Sequence, residues 1–204
     1  ANASIYSGPI SVNKTTTLKA SAIKAGFTPT NIDCQTYLLF DIENARPDGT
    51  DPAGLNTSFL EQNQPLGWGN LSSGDYRMDP RVSKSTNLAS GHQDTIAQTM
   101  LKGLRDIPTI SIAMDRADFS GGSGIYTNST NGGLEYECSA EYIPSSTDTR
   151  DDWQINCGIK VQGGASRNPG SSPKHSMNFR FRAQYGSGRL REKLFPNSEV
   201  EAFN

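Results

Sequence analysis

Gly163, Gly164, Ser166, Arg167 and Lys174 lie in the stretch GIKVQGGASRNPGSSPKHSMNFRFRAQYG, residues 158–186. Their types suit an anion. Two glycines let the backbone approach a phosphate with no Cβ in the way. Arg167 offers a planar fork, Lys174 a point charge and Ser166 a hydroxyl donor. From Gly158 to Lys193 the cations are Lys160, Arg167, Lys174, Arg180, Arg182, Arg189, Arg191 and Lys193, and the only acid is Glu192. Such local asymmetry concerns a partner rather than the fold. A bulge at Gly163-Gly164 with Lys174 in a solvent-facing turn would place the same residues without a ligand. Arg180 and Arg182 equally suit the solvated face of an edge strand, where they block aggregation.

Other chemistries fail on spacing. Gly164 to Gly170 is one residue too long for a P-loop, and no Lys-Ser/Thr follows. There is no GxGxxG. His92 and His175 are the only histidines, too few for a His/Cys zinc site. No nucleophile-elbow pattern accompanies them. Asp41, Asp48 and Asp51 do not have the spacing of an EF-hand loop.

The elements that must position the basic loop are strands. In LEYECSAEYI, Leu134, Tyr136, Cys138, Ala140 and Tyr142 share one face, with Glu135, Glu137 and Glu141 on the other. In WQINCGIKVQ, Trp153, Ile155, Cys157, Ile159 and Val161 alternate in the same way. An antiparallel hairpin of 134–143 with 153–162 sets Tyr142 opposite Trp153 and Cys138 opposite Cys157. That pair reads either as a cross-strand disulfide or as two buried thiols acting as small hydrophobes. After the loop, Met177, Phe179 and Phe181 face one way, and Asn178, Arg180 and Arg182 the other. Upstream, Ile96, Met100 and Leu104 predict a helix over 92–105, stopped by Pro108. IPTISIAMD then predicts a strand, with Ile107 near the core.

Composition agrees with β-structure punctuated by turns. The 204 residues are 34% hydrophobic, with Gly 20 and Pro 11. A formal net charge of −2 gives the whole chain no nucleic-acid footprint. No run of about 18 apolar residues predicts a membrane span. Asn-x-Ser/Thr sites begin at Asn2, Asn13, Asn56, Asn70 and Asn128 and mark exposed polar loops. No signal peptide is visible, and the chain reads as beginning after earlier strands.

Three organisational units are expected. Residues 1–40 read as short strands: IYSGPISV, TTTLKASAIKAG and CQTYLLF. Residues 41–91 are rich in Asp, Asn, Gly, Pro and Ser and read as a connector anchored by Trp68, Tyr76, Met78 and Val82. Residues 92–204 carry the helix and the main strands. The run IYSGPISVNKTTTLKASAIKAGFTPTNIDCQTYLL resembles the second half of a chitobiase C-terminal-like, or fibronectin-III-associated, β-sandwich module. That resemblance implies an accessory module of a secreted or surface protein.

The order IPTISIAMD, GIYTN, GIKVQGGASRNPGSSPKHSMNFRFRAQYG and GSGRLREKLF resembles the CotH family of spore-coat kinases, over roughly residues 105–204. The resemblance implies an atypical, secreted protein-kinase-like fold, of which this chain holds the N-terminal lobe. The fold class expected is therefore α+β and β-rich: a partial β-sandwich, then a mixed antiparallel-sheet, kinase-like lobe with a short helix. It implies ATP and Mg as cofactors of the full-length protein. The catalytic acids of the family would lie beyond Asn204, and Asp148, Asp151 and Asp152 match none of its motifs. Assigning the nucleotide to Gly163, Gly164, Ser166, Arg167 and Lys174 rests on their position and chemistry. The expected partner is a protein substrate or a surface glycan, with an extracellular or cell-surface location. The alternative is a non-enzymatic surface or matrix β-protein that binds glycans or self-assembles through exposed strand edges.

Overall fold

Alternation of apolar and polar residues builds the larger of two antiparallel sheets. A computed structural model describes residues 3–13, 15–39, 96–171, 174–195 and 197–203. Asp41, Asp48 and Asp51, the connector anchors and residues 92–95 of the expected helix lie outside them. So do the side chains of Ile96, Met100 and Leu101. In chain order the elements are β1 (Thr16–Ala20), β2 (Asp33–Tyr37), α1 (Ile96–Asp106), β3 (Thr109–Ala113), α2 (Arg116–Ser120), β4 (Tyr136–Ile143), β5 (Trp153–Gln162), a 3-10 turn (Ala165–Arg167) and β6 (Ser176–Arg180). β1 pairs with β2, and the four-stranded sheet runs β3-β4-β5-β6. Among the described residues the chain is thus β-rich, with two antiparallel sheets and a few short helices.

The hairpin register is the one the alternation predicts. Tyr142 faces Trp153 and Cys138 faces Cys157. Cys138, Ala140, Ile155, Cys157, Ile159 and Val161 form the buried centre with Ile125 and Leu190. Burying each large aliphatic side chain here is worth roughly 1.5–3 kcal/mol. Met177, Phe179 and Phe181 pack against this cluster, as their alternation implies. The Cys138 and Cys157 Sγ atoms stand 3.6 Å apart as thiols.

Cover for that inner face comes from two irregular segments. Asp115 caps α2 by accepting from the Ala117 N–H at 2.8 Å. After α2 the chain folds back: the Ile125 and Tyr126 N–H groups donate to the Asp118 and Phe119 carbonyls, both at 2.9 Å. This return sinks Ile125 and Tyr126 into the core. The second cover is the C-terminal stretch, where Leu190 and Phe203 form an antiparallel bridge.

Several expectations are corrected. IYSGPISV is not a strand: residues 3–13 make no ladder, and Ile5 is 94% exposed. Ile107 is 67% exposed rather than near the core. Ile110 and Ile112 pair with Tyr142 and Ala140, so they share the inner face, yet both stay exposed at the sheet edge. The outer face of β4 is not uniformly solvated either. Glu141 is buried because β2 lies across it: the Thr36 N–H donates to Glu141 Oε2 at 2.8 Å. Thr36 Oγ1 and Ser111 Oγ share a 2.7 Å hydrogen bond, and Asn156 Nδ2 donates to the Ile32 carbonyl at 2.9 Å. Cys34, on β2 itself, is the buried residue of that strand, and burial pushes its thiol pKa up.

Candidate functional site

β5 and β6 stop pairing at Gln162 and Ser176. Gly163 and Gly164 follow the last paired residue, so they are a hinge beyond the ladder and not a bulge within it. Gly163 has φ +122°, a conformation that side chains rarely adopt, and a Cβ there would collide with Ser166 Oγ. The chain then closes the 3-10 turn Ala165–Arg167, with the Arg167 N–H donating to the Gly164 carbonyl at 3.2 Å. Gly163, Gly164, Ser166 and Arg167 are thereby gathered on one turn. Ser166 and both glycines are exposed. Lys174 is exposed at the far end of the loop.

Two pins hold this turn against the segment after α2. Ser129 Oγ donates to the Arg167 carbonyl at 2.7 Å. His175 is buried, and its Nδ1 lies 3.1 Å from the Ser166 carbonyl. A carbonyl only accepts, so Nδ1 carries the proton. The imidazole also packs on Tyr126, ring centroids 4.8 Å apart, and the His175 N–H donates to the Tyr126 hydroxyl at 3.3 Å. Arg167 is only half-buried in this frame: its guanidinium lies so close to Gly132 that a Cβ there would strike it. Arg167 Nε and His175 Nε2 are buried without a hydrogen-bond partner among the described residues.

Arg180, the last residue of β6, and Arg182, just beyond that strand, behave differently. Arg182 Nε is 2.9 Å from Glu135 Oε1, and Arg180 Nε is 4.0 Å from Glu135 Oε2. Tyr185 donates its hydroxyl to Glu135 Oε1 at 3.1 Å. Gly158 makes room for this group: a Cβ there would lie 2.6 Å from Tyr185 Cε2 and 2.7 Å from Glu135 Oε1. The alternation sets Glu135 on the face opposite the apolar residues and gives no sign of its role as counter-ion. Nor does it mark His175, Ser129 and Gly132 as supports. The signal that existed was the GIYTN segment, whose Tyr126 meets His175.

A second polar cluster sits at the β4–β5 turn, at the opposite end of that hairpin from the glycine loop. The Tyr142 hydroxyl donates to Asp148, and Arg150 grips the same carboxylate, Nη2 to Oδ2 at 2.6 Å. The Arg150 hydrogen bonds, then that of Tyr142, hold the Asp148 carboxyl well below the usual range. Burial and the Asp148 bond push the Tyr142 phenol up to about 12. The adjoining cleft, about 510 Å³, is lined by Pro108, Ser145, Thr147, Asp148, Thr149, Arg150 and Lys193. Asp148 is committed to this network, and no role on a substrate is assigned to it.

Comparison with protein-family models, with curated proteins and with solved structures finds no match to this chain. Among the described residues no group of three or more His, Cys, Asp or Glu could hold a metal ion. No described helix is long and apolar enough to cross a membrane.

Proposed function

We propose that this chain supplies the nucleotide-binding part of a secreted or surface CotH-like atypical protein kinase, without the catalytic acids. The observation that carries the reading is the glycine hinge. It lies outside the ladder, exposes backbone at Gly163 and Gly164, and brings Ser166 and Arg167 onto the same turn. Such a turn suits the phosphates of a nucleotide, with Lys174 as a further cation on the loop. Residues 163–175 contain no carboxylate, so the loop fits phosphate and not Mg. In this reading Mg comes with acids outside the loop. Phosphoryl transfer needs a carboxylate for the metal and another to orient the attacking hydroxyl. The loop alone is therefore expected to hold the phosphates, and transfer depends on carboxylates outside it.

The test is calorimetric titration of ATP, with and without Mg, into the chain and its Arg167→Ala and Lys174→Ala variants. Circular dichroism serves as the folding control. Weakened binding in both variants supports the reading, and unchanged affinity in both refutes it.

The second reading, a non-enzymatic surface or matrix protein that binds glycans or self-assembles, is favoured by exposed apolar residues beside the small sheet. Ile5, Tyr6, Ile10, Ile23 and Phe27 are all more than half exposed. Light scattering that shows concentration-dependent association, together with no nucleotide binding, would favour it.

A further inference from the structure

We propose that Cys138 and Cys157 are a redox pair that closes to a cross-strand disulfide when the chain folds under oxidising conditions. The two residues are direct partners in the β4–β5 register and point to the same inner face. Both are buried, 3% and 0% exposed, and their Sγ atoms are 3.6 Å apart. A disulfide is about 2.05 Å long, so closure asks for an approach of about 1.5 Å, within reach of side-chain rotation. The ladder continues on both sides, through Tyr136 with Ile159 and Ala140 with Ile155, so the backbone holds the pair in register.

The third cysteine does not compete. Cys34 belongs to β2, which lies across the outer face of β4, where the Thr36 N–H reaches Glu141. Successive side chains of a strand point to opposite faces, so the sheet separates Cys34 from the pair. The inference rests on the sheet alone and stands whether or not the loop binds nucleotide.

Timing follows from burial. The hydrogen bond from Cys157 and desolvation raise the Cys138 thiol far above its ordinary value, so the folded pair is a poor nucleophile. Closure belongs to the folding chain, with a low-molecular-weight or protein disulfide as oxidant. One cysteine thiolate attacks the oxidant and releases one thiol, leaving a mixed disulfide. The second thiolate attacks that bond and releases the other thiol. The two cysteines lose two electrons and two protons, and the oxidant is reduced to two thiols. Such a bond persists in extracellular or periplasmic surroundings and not in a reducing cytosol.

The experiment refolds the full chain in glutathione disulfide and glutathione, then counts thiols under denaturing conditions. One thiol per chain is expected, against three for the reduced chain. Peptide mapping should join Cys138 to Cys157, with a mass lower by about 2 Da. The Cys34→Ala variant should show no thiol after the same treatment, and Cys138→Ala should form no intramolecular bond. Three thiols after oxidative refolding, or a bridge from Cys34 to either partner, would overturn the proposal.

Discussion

The Thr36 backbone N–H donates to Glu141 Oε2 at 2.8 Å, across 105 positions of sequence. This bond anchors β2 on the polar face of the larger sheet. A buried carboxylate that lost the partner, or a buried N–H that lost the carboxylate, would each cost about 1–3 kcal/mol. Glu141→Ala should therefore lower the unfolding free energy measured by urea titration by an amount in that range. Glu141→Gln keeps an acceptor at the same reach and should lose less. Equal losses in the two variants would mean that the hydrogen bond does not anchor the hairpin.

Gly163 tests the glycine hinge separately from its charges. Its φ of +122° and the nearby Ser166 Oγ leave no room for a side chain. Gly163→Ala should cost about 1–3 kcal/mol, the scale of a strained backbone conformation. Gly164 has nothing within 4 Å of a Cβ, so Gly164→Ala should be milder. Thermal melts of both variants check the order. If the nucleotide reading holds, ATP affinity should fall with Gly163→Ala, because the turn that gathers Ser166 and Arg167 is displaced.

The legible part of this fold is the part whose information is local. Two matched alternations set the β4–β5 register, Cys138 opposite Cys157, because a slip of one residue would turn every apolar side chain outward. Glu141 illustrates the opposite case. Its burial depends on β2, more than 100 positions away, and no period within YECSAEYI announces that cover. Ile107, Ile110 and Ile112 mislead for a related reason: apolar character marks a face, but exposure depends on what lies over it. The glycine loop was visible by composition. Its supports were not, because Ser129 and His175 act through the backbone carbonyls of Arg167 and Ser166, which any residue would supply.

Acid and alkali should each loosen the β4–β5 turn. Asp148 has its folded pKa depressed by Arg150 and Tyr142. Its contribution is present above the unfolded carboxyl value, about 3.9, and is lost as pH falls through the folded value. Tyr142 has its folded pKa raised to about 12. Its contribution is complete below the unfolded phenol value, about 10, and is lost as pH rises through the folded one. Asp148→Asn should flatten the acid limb of a stability–pH profile, and Tyr142→Phe the alkaline limb. A wild-type profile unchanged by either substitution would show that the network does not contribute.

Glu135 divides the basic stretch into two kinds of charge. Arg182 and Arg180 both reach this one carboxylate, which is mostly buried while they remain about half exposed. Their charge is offset where it stands, and the Tyr185 hydroxyl holds the carboxylate in place. No such acid pairs with the loop cation Arg167 among the described residues: its carbonyl is pinned by Ser129, and its guanidinium lies against Gly132. Arg182→Ala should therefore leave ATP affinity unchanged and weaken folding slightly, by the roughly 0–1 kcal/mol of a partly exposed ion pair. Glu135→Ala should do the reverse to surface charge. It exposes two uncompensated arginines beside Gly158, and retention on an anionic resin should rise at low salt and converge with wild type at high salt. If Arg182→Ala weakened ATP binding as much as Arg167→Ala, the phosphate site would have to include the surface around Glu135, and the glycine hinge would no longer carry it alone.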